Sequence, residues 1–146
     1  MEQANQRPIR VVAGLIFHDR RLLACQRHAS ATFPLKWEFP GGKVKNGESD
    51  LDALRRELKE ELGIDVHDAE LISAYEHSYN GGPRVSLCFY NVKSFHGEAT
   101  NLVFQQISWE KVTDLGSLDF LEGDRRLIEQ LLASDGEAPS DVERGR

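Results

Sequence analysis

Three glutamates stand close together at positions 57, 60 and 61. Their segment, residues 49–62, reads as a helix: Ser49 or Asp50 can cap its start and Gly63 ends it. With Glu57 set at 0° on a helical wheel, Glu60 falls near ~300° and Glu61 near ~40°. Leu51, Leu54, Leu58 and Leu62 spread over roughly 60° to 140° and form the apolar stripe that packs on a neighbouring layer. The carboxylates therefore lie beside the buried face. Like charges at these spacings repel by about 0.2–0.5 kcal/mol per pair. A solvated acidic face, relieved by Arg55, Arg56 and Lys59, tolerates that repulsion. A bound divalent cation would convert it into attraction, and carboxylate oxygens suit the hard ions Mg²⁺ or Mn²⁺. The helix alone is compatible with both readings.

The stretch before the helix, WEFPGGKVKNGES at 37–49, separates them. Gly41 and Gly42 free the backbone for a tight turn or for a ligand close to the main chain. Gly42, Glu48, Arg56, Glu57, Leu58, Glu60, Glu61, Gly63 and Ile64 match every defined position of the Nudix box, and the chain is identified on them as resembling that family. A phosphate-binding P-loop is excluded, because Lys43 is followed by Val44 rather than Ser or Thr. The resemblance implies a Nudix-type α/β/α sandwich with a mixed β-sheet, and Mg²⁺ or Mn²⁺ held by Glu57, Glu60, Glu61 and the Gly41 carbonyl. It gives Glu48 a supporting role at the metal site. It makes Arg56 an orienter of the glutamates rather than a substrate contact.

The likeness extends over about Ile9 to Leu132, through WEFPGGK and DFLEGDRRLIEQLL, to the MutT-like branch and its CTP pyrophosphohydrolase relatives. That implies hydrolysis of a nucleoside triphosphate, oxidised ones such as 8-oxo-dGTP included, to a monophosphate and pyrophosphate. It places Arg27 and Lys43 on the phosphates, Phe39 in the base pocket, and Arg84 at a substrate-contact position, with His77 and Tyr79 on a strand facing the same region. Asp124 falls where MutT holds an asparagine that reads the oxidised guanine. An ionised aspartate there selects a donor-rich base edge; otherwise it is protonated in the pocket. A plain helix cap is the competing role for Asp124. One departure stands out. The branch carries another glutamate before the last strand, where this chain has Gln105 and Gln106, which cannot act as a base. Glu98 lies slightly upstream. Two alternatives remain: a Nudix hydrolase acting on a dinucleoside polyphosphate or sugar nucleotide, and a catalytically dead Nudix module that only binds.

The elements that must position these residues follow from patterning. Residues 9–17 and 22–27 form a hairpin around HDRR, and 70–79 and 84–95 form another around NGGP. A short strand covers 105–109 and a second helix 122–134. The expected organisation is a flexible 1–8, a single domain over 9–134, and a disordered tail over 135–146. The 146 residues are 40% hydrophobic and 29% charged, with net charge −6, which argues against a binder of polymeric nucleic acid. No run is long enough to cross a bilayer and the N-terminus lacks a signal-peptide core, so a cytoplasmic protein without membrane association is expected. Cys25 and Cys88 read as buried thiols. A monomer or a homodimer fits equally well.

Overall fold

The computed structural model describes residues 7–134 and 143–144. Nine strands and two α-helices occur among them: β1 (Ile9–Leu15), β2 (Phe17–His18), β3 (Arg21–Gln26), β4 (Trp37–Glu38), β5 (Gly41–Lys43), α1 (Asp50–Leu62), β6 (Asp65–Ser78), β7 (Arg84–His96), β8 (Gln106–Lys111), α2 (Glu122–Ala133) and β9 (Glu143–Arg144), with a 3₁₀ segment at Val112–Ser117. The main sheet runs β5-β1-β7-β6 and is mixed: β1 pairs parallel with β7 and antiparallel with β5, and β6 pairs antiparallel with β7. In the second sheet, β3 is flanked by β2 and β4 on one edge and by β8 on the other.

Strand alternation divides the core between two faces. Val12, Ile16, Leu23, Cys25 and Cys88 join Leu54, Leu58 and Leu62 of α1. Ala13, Leu15, Leu22, Phe39 and Phe89 join Leu127, Ile128 and Leu131 of α2. The result is the expected α/β/α sandwich. Both cysteines are buried free thiols.

Three details differ from the sequence reading. The first hairpin does not stay in one sheet. Its first arm divides at Ile16, so that β1 enters the main sheet and only β2 pairs with β3, around a turn with Asp19 and Arg20 in left-handed conformations. The strand expected at 70–79 begins at Asp65, because the polar stretch DVHDA lies on the outer strand of the sheet, where few positions are buried and alternation is weak. The strand expected at 105–109 extends to Lys111. Residues 1–6 and most of 135–146, where flexible ends are expected, lie outside the described residues; Glu143–Arg144 pairs with Ser94 and Phe95 of β7. Among the described residues no helix is long and apolar enough to cross a membrane.

Candidate active site

Helix α1 is fixed at both ends by its own sequence. The Ser49 hydroxyl accepts the Asp52 N–H at 3.1 Å, and Gly63, at φ 71°, returns its N–H to the Lys59 carbonyl at 3.0 Å. Leu54, Leu58 and Leu62 are fully buried. With that face seated, Glu57 and Glu61 turn toward β5. A Cβ on Gly42 would overlap the Glu57 carboxylate, and one on Gly41 would overlap the Val12 carbonyl. The two glycines thus allow β5 to lie against β1 while leaving room for a carboxylate. The Gly41 N–H donates to Glu61 Oε1 at 3.0 Å.

Arg56 ties this arrangement together. Its guanidinium donates to both oxygens of Glu48 at 2.7 and 3.0 Å, to Glu57 Oε2 at 2.9 Å, and to the Lys43 carbonyl at 3.0 Å. Glu60 lies 3.6 Å from the same guanidinium and its side chain is 59% exposed. The structure therefore brings Glu57 and Glu61 together but leaves Glu60 on the outer side, in keeping with its wheel separation of about 100° from Glu61. Hydrogen bonds from Arg56, and then the Lys45 N–H, hold the Glu48 carboxyl down to about 2. Glu48 braces the arginine and the loop.

A cleft of about 340 Å³ opens beside these groups, and Arg27, Phe39, Gly41, Lys43, Glu61 and Asp124 all line it. One end is crowded with acid. Burial first, then the charges of Glu57 and Glu38, hold the Glu61 carboxyl well above the usual carboxylate range, and a hydrogen bond links it to Glu57. Glu38, which sequence reasoning passed over, is itself raised by burial and steadied by Arg27. Its signal was present: a lone charge between the aromatic residues of WEF, on a strand whose neighbours are buried.

The other end is apolar, with Phe39, Leu87, Phe89 and Leu121 around Asp124. Asp124 makes no cap bond for its own helix, whose cap position is Leu121. Its carboxyl is buried, accepts the Phe39 N–H, and is pushed up to about 8, chiefly by burial and then by Glu38. At neutral pH it is mostly protonated and can both donate and accept. The cap position belongs to Leu121 and the Asp124 carboxyl bonds Phe39 of another segment, so it does not serve as the N-cap of α2.

The remaining residues fall into place around the cleft. Arg27 is occupied by Glu38 at 3.0 Å and by Thr32, to Oγ1 at 2.8 Å and to the carbonyl at 2.6 Å. Phe39 is both core and lining, 5.0 Å from the Phe120 ring. Tyr79 lines the cleft, whereas His77 packs on Tyr79 with its ring nitrogen 3.4 Å from Glu122. Arg84 is not among the lining residues; it pairs with Glu76 at 2.9 Å where the β6–β7 ribbon begins. Gln106 bonds Gln26, and the loop carrying Glu98 is anchored to the end of α1 by Thr100 and Leu102, so neither glutamine nor Glu98 enters the cleft.

The family description "NUDIX domain" matches residues 7–131. The chain belongs to the Nudix family. It is 33% identical over 133 residues to the CTP pyrophosphohydrolase of Escherichia coli, covering 91% of this chain and 98% of that protein. It is 34% identical over 129 residues to the 8-oxo-dGTP diphosphatase of Haemophilus influenzae, covering 88% and 94%. The solution structure of the E. coli ORF135 protein superposes with a TM-score of 0.80 at 32% identity, covering 94% and 98%, and the crystal structure of the MutT Nudix hydrolase from Burkholderia pseudomallei with 0.78 at 28%, covering 86% and 99%. This Nudix hydrolase is therefore related to nucleotide pyrophosphohydrolases along almost its whole length.

The donor set fits the divalent ion that the family implies. Glu57, Glu61 and Glu38 are hard oxygen donors, and the charges of Glu57 and Glu38 add to burial in raising Glu61. Among the described residues no three such side chains already converge as a cage, in keeping with the outward position of Glu60.

Proposed function

We propose that this Nudix hydrolase cleaves nucleoside triphosphates to a monophosphate and pyrophosphate, with Mg²⁺ or Mn²⁺, and that it selects the base with Asp124. The observation that carries the reading is a single cleft with opposite ends: carboxylates from α1 and β4 at one, an apolar pocket closed by a buried, protonatable Asp124 at the other. That polarity matches a substrate with a phosphate chain at one end and a flat, hydrogen-bonding ring at the other.

Glu57 and Glu61, with the Gly41 carbonyl, would hold the ion, and Glu60 would join by a rotamer change away from Arg56. When bound, the ion supplies charge neutralisation for the phosphates and an acidified water. The chain's own residues supply the rest. Arg56 fixes Glu57, and Lys43 at the rim offsets phosphate charge. Arg27 holds Glu38 beside the carboxylate pair, or exchanges that partner for a phosphate. Glu57 receives the proton of the attacking water, since the glutamate expected before the last strand is replaced by Gln105 and Gln106. At the base end, the Phe39 N–H holds one Asp124 oxygen, leaving the carboxylic acid to present a donor and an acceptor to the base edge, as an asparagine would.

The test is a panel of nucleotides assayed with Mg²⁺, reading pyrophosphate against orthophosphate and including 8-oxo-dGTP, dGTP, CTP, a dinucleoside polyphosphate and a sugar nucleotide. Pyrophosphate release with a clear preference among the triphosphates is expected. Preferential turnover of the dinucleoside polyphosphate or sugar nucleotide would move the enzyme to another substrate class, and turnover of none would leave a binding module.

A further inference from the structure

Helix α2 begins with no side chain of its own at the cap. The first N–H groups of any helix need partners from outside it. Two tyrosines, Tyr75 in β6 and Tyr79 just after its end, reach across to this helix, and Tyr79 takes one of those groups. The Gly123 N–H donates to Tyr79 Oη at 3.1 Å. The Tyr75 hydroxyl accepts the Leu127 N–H at 3.1 Å and donates to the Gly123 carbonyl at 2.6 Å, bridging the two groups of one helical hydrogen bond.

Tyr79 comes so close that only glycine fits at position 123. A Cβ there would overlap the phenolic oxygen and lie 3.0 Å from Cζ and 3.1 Å from Leu87 Cδ1. Glycine is a poor helix former, so its place in the first turn is explained by this approach rather than by the helix. The next residue is Asp124. Tyr79 also forms part of the wall of the same cleft and packs against Phe33 at 5.1 Å between ring centroids. Burial pushes its phenol up to about 12, so it remains a neutral hydroxyl at working pH.

We propose that Tyr79 is a positioning residue for base selection: by accepting the Gly123 N–H it sets the depth of the first turn of α2, and with it the place of Asp124 in the cleft. The proposal rests on Asp124 being the base contact. Tyr75 serves as an internal control, because it holds the same helix through the Gly123 carbonyl and the Leu127 N–H but does not line the cleft.

The experiment compares kcat and KM for 8-oxo-dGTP, dGTP and CTP, with thermal midpoints, in Tyr79→Phe, Tyr75→Phe and Asp124→Ala. Tyr79→Phe should raise KM for the preferred base and narrow the ratio of kcat/KM values by about 3- to 10-fold, as for one neutral hydrogen bond, with kcat little changed. Tyr75→Phe should lower the midpoint and leave the ratio alone. If Asp124→Ala changes the ratio but Tyr79→Phe only lowers the midpoint, the positioning role is overturned and the base reading stands. If Asp124→Ala leaves the ratio unchanged, both are overturned. Should Tyr79→Phe fail to fold, Gly123→Ala displaces the same turn from the helix side, and an unchanged ratio in that variant would overturn the role.

Discussion

The two helices of this enzyme are held in opposite ways. Helix α1 is capped by Ser49 and closed by Gly63, residues of its own segment, and it carries its carboxylates on a spacing that a wheel reproduces. Helix α2 starts bare and is docked by Tyr75 and Tyr79, from the end of β6 and the turn after it, more than forty positions earlier. The difference separates two kinds of constraint. The groups proposed to handle the triphosphate sit on an element that sets its own ends. The group that would distinguish bases sits on an element whose depth is set by a neighbour, so its place can shift without disturbing the first.

The largest effect should come from breaking the α1 end. Glu57→Gln is expected to lower kcat by more than about 100-fold, beyond what second-layer groups at metal sites usually cost, and to do so equally for every base. A base-dependent loss would blur the division between the helices. Arg56→Ala should come next. It leaves the ligands in the chain but frees Glu48, Glu57 and the Lys43 carbonyl from their common partner, so apparent Mg²⁺ affinity should fall by about 10- to 100-fold. A defect confined to nucleotide KM would instead make Arg56 a substrate contact.

The smallest effect in turnover should appear at the α2 end. Asp124→Asn replaces a mostly protonated acid with a group of the same hydrogen-bonding capacity, so base selectivity near pH 7 should be kept within a few-fold. The wild type should lose selectivity as pH rises through about 8, where Asp124 gives up its proton, and the asparagine variant should not. Flat selectivity in both proteins across that range would separate Asp124 from base reading. The sequence alone allowed an ionised aspartate favouring donor-rich bases; the buried surroundings favour the neutral form.

The sequence disclosed the α1 end almost completely, because its information is local: a cap, a leucine stripe, a glycine stop and carboxylates at fixed offsets. The layered sheet was legible for a similar reason, since residues 9–15 and 84–95 are short runs rich in β-branched or aromatic residues. What escaped depends on contacts distant in the chain. Glu38 becomes a third carboxylate of the cleft only when β4 is placed beside α1. Arg27 was expected on the phosphates, and Glu38 and Thr32 occupy it instead. The outward turn of Glu60 follows from its 100° offset from Glu61, which the wheel contained but the shared-face reading smoothed over. Glu57 and Glu61 are both largely covered, and Glu61 carries the cost of a buried charge beside another.

That cost gives the most direct test of the claim that the α1 end of the cleft is built for a cation. Because the Glu61 carboxyl is raised in the folded state, its contribution to stability is full below the ordinary carboxylate range of about 4 to 5 and is lost as pH rises above it. The measurement is the thermal midpoint of the wild type and of Glu61→Gln at pH 5 and pH 8, with and without Mg²⁺. At pH 8 without metal the variant should be the more stable protein. Mg²⁺ should raise the wild-type midpoint at pH 8 by several degrees while moving the variant little. A wild-type midpoint that does not respond to Mg²⁺, or a variant that responds equally, would contradict the account.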